Sequence, residues 1–463
     1  MSAVCDPWRQ LEQWRPQRCL CAELQQSPVE FERQHRRSAR SAPCQTGVYG
    51  FKEPYRNKGQ RGLFPFRLRH TPEKIRVSRI DGNATCGKFV GMNEKQTLQD
   101  IFTEMTSFPW LERAYRNARK QKRYRDEILT FSNNLDTNLL TIQEQLRAGT
   151  FKFGPYRRHW IYIPKKRLVM ALPFDSRIVQ WSVYQALNPF FNKMMIEDSY
   201  ACRETKGSLS AAKRLQYWME IAEGKPQKWY SLKLDISKYF YRVDHQILLE
   251  ILSDRIKDQR LIELLKDIIN CNGERFGLPR FMGPDDAGED DWLEGIGMPI
   301  GNLTSQLFAN IYLDQLDQFC KHQLKIRRYI RYMDDVIILA PDKETATQWK
   351  EEIATFLQER LHLDLNKKTA VRPMGRIEFV GYIVTSKSLQ LRKQTTRRIK
   401  SAFRGISRKY FAKEITQEEF DRRVASYKGM IQHCKADNLR RRLNQIYAQA
   451  KERESHEQSS NHQ

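Results

Sequence analysis

The spacing of apolar residues changes several times along the chain, and each change marks a different kind of element. Through most of residues 98–221 apolar residues recur every three or four positions, which is the period of helices with one buried face. They alternate at 230–235, which predicts a strand, and β-branched residues at 328–340 favour extended backbone. Further helices are expected at 245–254 and 394–450. The earlier helices are expected at 98–105, 110–146 with a break near 133–134, 174–191 and 208–221, with two short strands within 156–170.

Residues 1–91 differ from the rest of the chain. Arginine, glutamine, serine and proline are frequent there, and no apolar period is present. Such segments bury too little apolar surface to offset the entropy of ordering, so a poorly ordered basic segment is predicted. It is either a basic arm that binds RNA or a stretch without function. The polar tail at 451–463 is also predicted to be disordered.

The composition indicates a polyanionic partner. The chain has 463 residues, 40% of them apolar, and its formal net charge is +25. A surplus of that size favours nucleic acid, and the lack of any run of about 18 apolar residues argues against a membrane partner. Cys19 and Cys21 have no matching second pair or nearby histidine, so zinc is not expected. Reduced cysteines and a polar, charged start favour a cytoplasmic protein.

The segment 328–340 contains the most informative motif. Its β-branched residues predict a strand, a tight turn and a second strand, with Tyr332-Met333-Asp334-Asp335 at the turn. An ordinary exposed turn has polar neighbours, whereas apolar residues flank this acidic pair on both sides. Adjacent carboxylates in such surroundings are costly unless a cation neutralises them. Mg²⁺ suits the pair, since it takes few carboxylates, several waters and phosphate oxygens.

A third acid, Asp235, is expected where the strand at 230–235 ends, and Asp244 is the predicted N-cap of the next helix. An acid leaving a strand and an acidic pair on a hairpin can converge on two metal ions. Two such ions can hold the attacking and departing oxygens of an in-line phosphoryl displacement. We therefore predict that Asp235, Asp334 and Asp335 carry catalysis and bind two Mg²⁺ ions, for which Mn²⁺ can substitute.

Between these acids lies a glycine-containing turn followed by an apolar helix, at 297–313. Gly301 can adopt backbone conformations closed to other residues. Asn302 or Thr304 is the expected cap of this helix, whose apolar residues fit one buried face. Ser305 and Gln306 are the polar residues of its first turns, and they are expected to face a ligand.

Three segments of this chain resemble, in this order, motifs A, B and C in the palm of reverse transcriptases. They are Asp235, the segment 301–306 and the hairpin at 332–335. The similarity extends to 163–169, 198–203, 365–369 and 379–382, and it spans roughly residues 92–450. The resemblance implies an α+β right-hand polymerase with helical and β fingers, an antiparallel-sheet palm and a helical thumb. It implies fingers at 92–223, a palm at 224–383 with an acidic insertion at 283–294, and a basic thumb at 384–450.

The resemblance also implies contacts around an incoming nucleotide. Phe240 occupies the position of a steric gate, whose ring collides with a ribose 2′-hydroxyl, so deoxynucleotides are expected to be preferred. Lys166 and Arg167 are expected to neutralise the triphosphate. Lys368, or its neighbour Lys367, is the expected proton donor to pyrophosphate. The other expected nucleotide contacts are Ile236, Ile300, Gln306, Tyr332 and Met333.

Contacts to nucleic acid are expected away from the nucleotide. A loop at 198–207 carries cations suited to template phosphates, and the thumb helices carry cations dense enough to track the phosphates of an RNA–DNA hybrid. A primer-grip-like turn lies at 379–382. The residues predicted to make these contacts are Arg203, Lys206, Gly381, Arg397, Arg398 and Arg404.

The sequence around Gly301 narrows the resemblance. Group II intron enzymes usually carry a Gln-Gly-Ser-Pro-like sequence there, whereas Ile300-Gly301 followed by Ser305-Gln306 is similar to the reverse transcriptases of diversity-generating retroelements. Those enzymes copy a template-repeat RNA into cDNA with frequent errors opposite adenine, and the cDNA replaces a variable repeat in a target gene. The resemblance implies the same function here, with dNTPs, template RNA and a small basic pentameric accessory variability protein as partners, in a bacterium, archaeon or phage.

Alternatives remain open. Template repeats commonly lie just upstream of the enzyme gene in that family, so 1–91 is alternatively translated non-coding DNA, with Met92 as the true start. A bacterial defence or abortive-infection reverse transcriptase, or a free-standing intron-type enzyme, shares the palm chemistry. A catalytically inactive RNA-binding protein would share only the scaffold, and the three intact acids argue against it.

Overall fold

The computed structural model describes residues 97–162, 167–280 and 282–460, with the side chains of residue 272 and of 454–460 excepted. The segment 1–91, predicted to be poorly ordered, lies outside these residues, and so does Lys166. The described chain forms helices and antiparallel sheets, which confirms the predicted α+β class and agrees with a right-hand polymerase fold. None of the described helices is both long and apolar enough to cross a bilayer.

Helices dominate the region predicted to be the fingers. Its elements are α1 (Ile101–Met105), α2 (Phe108–Ala118), α3 (Asp126–Asn133), α4 (Leu135–Ala148), β1 (Arg157–Ile161), β2 (Arg167–Ala171), α5 (Phe174–Met194) and α6 (Ser208–Glu223). β1 and β2 pair antiparallel, so the two predicted short strands are confirmed. The predicted break near 133–134 is present, since Asn134 leaves helical geometry with φ −125° and ψ 49°. A second break, at 119–125, was not predicted from the sequence.

A four-stranded antiparallel sheet forms the palm region. Its elements are β3 (Tyr230–Asp235), α7 (His245–Arg255), α8 (Gln259–Ile269), α9 (Leu303–Gln318), β4 (Tyr329–Tyr332), β5 (Asp335–Ala340), α10 (Lys343–Leu361) and β6 (Ala370–Pro373). The strand order is β4-β5-β3-β6. Asp244 accepts hydrogen bonds from the amides of Gln246 and Ile247, so the predicted N-cap of α7 is confirmed.

The two faces of this sheet are buried against different helices. Side chains alternate between the faces along each strand. Leu234 and Val336 point to one face and pack in a cluster with Leu307 of α9 and Ile353 of α10. Ile337 points to the other face, in a cluster with residues of α6. Because β5 is buried on both faces, its sequence is a continuous apolar run.

The C-terminal region starts with a small sheet and continues as three helices. Its elements are β7 (Ile377–Phe379), β8 (Tyr382–Val384), β9 (Leu389–Leu391), α11 (Lys393–Phe411), α12 (Gln417–Gln432) and α13 (Asp437–Ser460). Phe403 and Phe420 join α11 to α12, with ring centroids 6.2 Å apart. The disordered tail predicted at 451–463 is corrected for 451–460, which prolong α13. Lysine, glutamate, arginine and glutamine are good helix formers, and they extend a helix that is already nucleated.

The acidic insertion at 283–294 is a loop of turns and bends. An antiparallel bridge between Gly277 and Leu293 closes it. The amide of Gly288 donates to Asp291 Oδ2 at 2.8 Å, so one of its acids stabilises the loop itself. The loop lies between β3 and β4 in the sequence.

Candidate active site

The hairpin between β4 and β5 brings the three predicted acids to one corner of the sheet. Tyr332 pairs with Asp335, which leaves Met333 and Asp334 as a two-residue turn. Asp235, the last residue of β3, pairs directly with Asp335. Opposed residues of antiparallel strands have Cα atoms about 4.5–5.5 Å apart and side chains on the same face. The amide of Ile236 donates to the carbonyl of Asp334 at 3.4 Å, which holds the turn against β3.

Asp335 lies in an environment that disfavours its own negative charge. Burial raises the pKa of this carboxyl to about 6, the charges of Asp334 and Asp235 add to the shift, and Lys233 opposes it. Lys233 Nζ lies 3.4 Å from Asp335 Oδ1. Among the described residues nothing donates an aligned hydrogen bond to that oxygen, although it is buried. A cation at this corner would satisfy the oxygen and remove the repulsion.

The residues at this corner fit a divalent cation that a substrate helps to coordinate. Within the described part of the chain, no three His, Cys, Asp or Glu side chains are already arranged around a metal position. Mg²⁺ is usually held by one or two carboxylates together with waters and substrate phosphates, so a complete set of protein ligands is not required. The protein would supply its part of the metal ligands from the buried Asp335 oxygen and the neighbouring carboxylates of Asp235 and Asp334.

Replacing Asp335 by asparagine is expected to stabilise the metal-free protein at pH 7.5. The pKa of the Asp335 carboxyl is about 6 in the folded protein and 3.8 ordinarily. Between pH 3.8 and 6 the folded state therefore binds more protons than the unfolded state. The free energy of unfolding falls as pH rises through this range. The asparagine variant does not suffer this loss of stability, which amounts to about 3 kcal/mol at most. Denaturant unfolding in EDTA measures it. The gain should vanish near pH 4.

A matched variant at an exposed acid of α10, Glu351→Gln, controls for the general loss of one negative charge. Its stability should stay within about 0.5 kcal/mol of the wild type at both pH values. Added Mg²⁺ should stabilise the wild type more than Asp335→Asn. An asparagine variant that is less stable than the wild type at pH 7.5 would show that the Lys233 ion pair outweighs the repulsion.

The segment before α9 contacts the β-hairpin of the fingers region. The amide of Met170 donates to the carbonyl of Ile300 at 3.0 Å. Gly301 has φ 121°, and a Cβ there would lie 2.9 Å from the Met170 carbonyl oxygen. Only glycine fits this approach. Gln306 is half-buried, and its Oε1 accepts from the Cys202 thiol at 3.3 Å.

Two expectations for α9 are wrong. Ser305 is 4% exposed, so it packs in the interior and does not face a ligand. Asn302 occupies the N-cap position, but its side chain donates to the Tyr156 hydroxyl at 2.9 Å instead of capping the helix. Thr304 is buried too. The helical period places a residue on a face, but the partner that covers the face comes from a distant segment.

The residues after β3 form a single 3₁₀ turn at Tyr239–Tyr241. Tyr239 is buried, and its hydroxyl donates to the Ala309 carbonyl at 2.6 Å. Phe240 is half-buried beside it, and its carbonyl accepts from Met298 at 2.7 Å. Ile236 is 2% exposed, so its side chain belongs to the core. The predicted contact between this side chain and a nucleotide is therefore wrong.

The other predicted nucleotide contacts lie near the acids or on the fingers hairpin. Tyr332 and Met333 are half-buried within the β4–β5 hairpin itself. Lys368 is exposed in a segment that binds the Asp235 backbone from both sides, through Asn366 at 2.7 Å and Thr369 at 3.3 Å. Arg167 is exposed at the start of β2.

Arg203 does not offer its guanidinium to a template, contrary to the prediction. The side chain is 7% exposed. It donates to Asn192 Oδ1 at 2.6 Å and to the carbonyls of Asn192, Ile196 and Ser199 at 3.1, 2.6 and 2.9 Å. These carbonyls lie at and just after the end of α5, where a helix leaves acceptors unpaired. Lys206 is half-buried, and its Nζ lies 2.9 Å from Glu197 Oε1.

Of the predicted contacts in the C-terminal region, the three arginines are exposed and Gly381 is half-buried. Gly381 lies in the turn between β7 and β8 with φ 91°. Its carbonyl accepts from the Arg392 amide at 3.3 Å, which ties the turn to the start of α11. α11 buries Ile399 and Phe403 and leaves most of its cations exposed. Among those cations are Arg397, Arg398 and Arg404.

A buried arginine next to the acids was missed. Arg331 is 0% exposed and lies on β4, three residues before Asp334. Its guanidinium donates to both oxygens of Asp317 on α9, at 2.7 and 2.6 Å, and to the Met333 carbonyl at 3.2 Å. The sequence held a signal, because strand alternation puts Arg331 on the same face as the buried Tyr329.

Comparisons with known proteins find one matching family model, over the central part of the chain. Residues 163–384 match the family model described as "Reverse transcriptase (RNA-dependent DNA polymerase)". The group II intron-encoded protein LtrA of Lactococcus lactis subsp. cremoris is 21% identical over 372 residues, which cover 63% of this chain and 58% of that protein. Protein YkfC of Escherichia coli K12 is 26% identical over 268 residues, which cover 50% of this chain and 66% of that protein.

Other similar proteins are more distant or longer. The putative COX1/OXI3 intron 2 protein of Saccharomyces cerevisiae is 25% identical over 205 residues, which cover 42% of this chain and 22% of that protein. The chain thus spans less than two thirds of the length of these relatives. The structure of telomerase from Candida albicans with a fragment of telomeric RNA is 11% identical, with a TM-score of 0.38, covering 65% of this chain and 61% of that one.

Proposed function

We propose that this protein, whose residues 163–384 form a reverse transcriptase domain, is an RNA-directed DNA polymerase. The observation that carries the proposal is the pairing of Asp235 with Asp335, with Asp334 in the turn beside them. Acids from two separate segments of the chain meet at one corner, and a buried oxygen of Asp335 there lacks an aligned hydrogen-bond donor among the described residues. Reverse transcriptase domains generally use divalent metals, and this corner has the donors for them.

Asp235 and Asp334 would hold two Mg²⁺ ions, with Asp335 assisting, and these ions would supply Lewis acidity at the primer 3′-hydroxyl and the triphosphate. Mn²⁺ can substitute. The protein's own contribution is position. The ladder between β3 and β5 fixes Asp235 against Asp335, and the turn at Met333 fixes Asp334. Lys368, in the segment bonded to the Asp235 backbone, donates a proton to the leaving pyrophosphate.

The incoming dNTP lies between the fingers hairpin and the palm. Arg167 and Lys166 neutralise its triphosphate, and Phe240 lies under its sugar. Ile300 and Gln306 lie below the base, where the Ile300 carbonyl is held by β2 and the Gln306 amide by Cys202. Tyr332 and Met333 contact the primer end. The Ile236 contact is carried by its backbone, since its side chain is buried.

The thumb helix α11 holds the RNA–DNA hybrid through its exposed cations. Changing Arg397, Arg398 and Arg404 together to alanine is expected to weaken hybrid binding about tenfold near 0.1 M salt, because each cation that neutralises a phosphate releases counterions. The slope of log affinity against log salt should become less steep by about 2.7, roughly 0.9 for each of the three lost phosphate contacts. Fluorescence anisotropy with a labelled hybrid measures both quantities.

The matched control changes Lys343, Lys350 and Arg360 of α10 to alanine. This helix packs on the sheet face opposite the acids, through residues such as Ile353 and Leu357. The control removes the same charge and should leave the salt slope nearly unchanged. Equal losses in both triple variants would mean that net charge, and not the α11 surface, governs binding.

Primer extension by the full chain tests the proposed activity. The assay uses an RNA template, an annealed DNA primer, dNTPs and Mg²⁺, with Asp235→Asn as the inactive control. Extension that requires Mg²⁺ and Asp235 supports the proposal. Hybrid binding without extension, with either Mg²⁺ or Mn²⁺, would instead identify an inactive RNA-binding protein on the same scaffold.

The finer proposal is mutagenic synthesis for a diversity-generating retroelement, based on Ile300-Gly301 and Ser305-Gln306. In this role the protein copies a template-repeat RNA in the cytoplasm of a bacterium or archaeon, or from a phage genome, with a small basic pentameric accessory variability protein. A loosely constrained pocket below the base weakens discrimination at adenine, since a mispair costs only a few kcal/mol. Sequencing the cDNA tests this. Errors concentrated opposite adenine support it, and evenly spread errors oppose it.

The relatives favour a second candidate, an intron-type reverse transcriptase. Group II intron-encoded LtrA and the nuclear intron maturase 4 of Arabidopsis thaliana are both similar to this chain, the latter at 22% identity over 281 residues. The same cDNA experiment separates the candidates, because an enzyme of that kind has no reason to err mainly at adenine. A defence-type enzyme is distinguished by protection of its host against phage infection.

A further inference from the structure

Arg331 is a buried cation in a place where stability alone does not require one. It is fully buried together with Asp317, and the two form a two-pronged ion pair at 2.7 and 2.6 Å. Removing two such charges from water costs about as much as their attraction returns, so apolar residues of similar size usually stabilise a fold equally well. The pair is therefore best explained by the geometry that it imposes.

The remaining bonds of Arg331 connect three separate segments. One nitrogen donates to Asn310 Oδ1 on α9 at 3.1 Å, and another donates to Ser199 Oγ in the loop after α5 at 3.2 Å. The Tyr329 hydroxyl donates to Asp317 at 2.6 Å, which fixes the acceptor. The helix is anchored in turn, because Asn310 Nδ2 donates to the Ala201 carbonyl at 2.8 Å.

The bond to the catalytic hairpin is the one that matters for chemistry. Arg331 donates to the carbonyl of Met333 at 3.2 Å. Met333 has φ 56°, a left-handed conformation that a methionine rarely adopts without support. Its carbonyl belongs to the peptide bond that leads into Asp334. The orientation of that peptide therefore sets the direction in which the Asp334 carboxylate leaves the turn.

We propose that Arg331 is a positioning residue that locks the Met333–Asp334 turn onto α9, so that Asp334 is aimed at its metal before substrate arrives. This deepens the proposed polymerase function and depends on it for its kinetic consequences. The pairing with Asp317 holds the guanidinium in place, and the Met333 carbonyl is where it acts on the site. A residue misplaced by about 1 Å at a reacting centre costs up to about a hundredfold in rate.

The test is a full-length double variant, Arg331→Met with Asp317→Asn. It removes both buried charges together and keeps an acceptor for the Tyr329 hydroxyl, so folding should survive, but it removes the donor to Met333. Amides in 327–340 should exchange hydrogen at least about tenfold faster. Mn²⁺ affinity of the hybrid complex, measured by calorimetry, should fall severalfold. The half-saturating Mg²⁺ concentration should rise and kcat should fall at least about tenfold, with KM for dNTP nearly unchanged.

The matched control is Arg328→Lys. Arg328 lies three residues away, and its guanidinium packs over the Trp229 ring at 4.4 Å rather than on the turn. It should leave all four measurements unchanged. If the double variant does not fold, the same measurements on Arg331→Lys test the proposal. This variant keeps the positive charge but loses the planar guanidinium that bonds several acceptors at once.

A double variant that folds and keeps wild-type exchange, Mn²⁺ affinity and kcat overturns the proposal and leaves the pair a purely structural role. If the wild type itself does not extend a primer, the proposed function fails, while hydrogen exchange and Mn²⁺ binding still test Arg331 separately. Faster exchange with unchanged Mn²⁺ affinity and kcat also overturns it, because the turn would then be loosened without any effect on the metal.

Discussion

The Asp334→Ala variant is expected to lose primer extension by about a thousandfold while it still binds an RNA–DNA hybrid. A carboxylate that holds a catalytic metal contributes several kcal/mol in the transition state, and about 4 kcal/mol corresponds to that loss of rate. Asp334 lies in a two-residue turn and not in a strand core, so its removal leaves the ladders of β4 and β5 intact. Single-turnover extension and anisotropy on the same preparation measure the two properties.

Two further variants separate loss of the metal ligand from general damage. Asp334→Asn keeps the size and the turn but replaces one carboxylate oxygen with an amide, so it should be nearly as inactive as alanine. Glu351→Ala removes an exposed acid of α10 and should extend primers at the wild-type rate. Normal extension by Asp334→Ala would refute the metal assignment and with it the account of the hairpin.

The convergence of the acids was predictable because it depends on local rules. β-Branched residues and alternation set the bounds of β3 and β5, and the short turn at Met333-Asp334 forces the strands on either side of it to pair. Asp235 comes close to the acids of this hairpin if it lies at the end of the neighbouring strand. The structure confirms this pairing in register, with Asp235 opposite Asp335. The resemblance in motif order supplied the remaining step, which was to place β3 beside β5.

The errors occur where the fold gives a side chain a partner that the spacing of apolar and polar residues does not identify. Arg203 and Lys206 are cations on a loop, and the sequence alone presents them as phosphate ligands. The fold instead closes that loop over the end of α5, so that Arg203 bonds helix carbonyls and Lys206 pairs with Glu197. Ser305 and Ile236 are buried for the same reason. Whether a polar or apolar residue meets solvent depends on its tertiary partners, which periodicity does not identify.

Arg331 shows the opposite kind of omission. It lies in the strand that leads to the acids, and the sequence analysis assigned it no role. Only the position of Asp317 on α9, 14 residues earlier in the chain, reveals that the charge is paired inside the protein. A buried ion pair of this kind is visible from sequence only when two opposite charges fall on apolar faces that are already known to meet.

The Phe240→Ala variant is expected to lower the preference for deoxynucleotides over ribonucleotides by up to about a hundredfold. Excluding one substituent by shape is worth about 1–3 kcal/mol, which gives this range. Phe240 is half-buried in a turn that Tyr239 anchors independently through Ala309, so removing the ring should leave the turn in place. The measurement is the ratio of kcat/KM for a dNTP to that for the matching NTP in single-nucleotide incorporation.

The direction of the change distinguishes a gate from a supporting core residue. Loss of a gate raises kcat/KM for the ribonucleotide and leaves that for the deoxynucleotide nearly unchanged, whereas loss of packing lowers both. Phe240→Tyr keeps the ring and should retain the preference. An unchanged ratio in Phe240→Ala would remove the gate role and leave Phe240 as a packing residue beside Tyr239, 5.6 Å between ring centroids. Sugar selection would then have to come from another residue near Asp235.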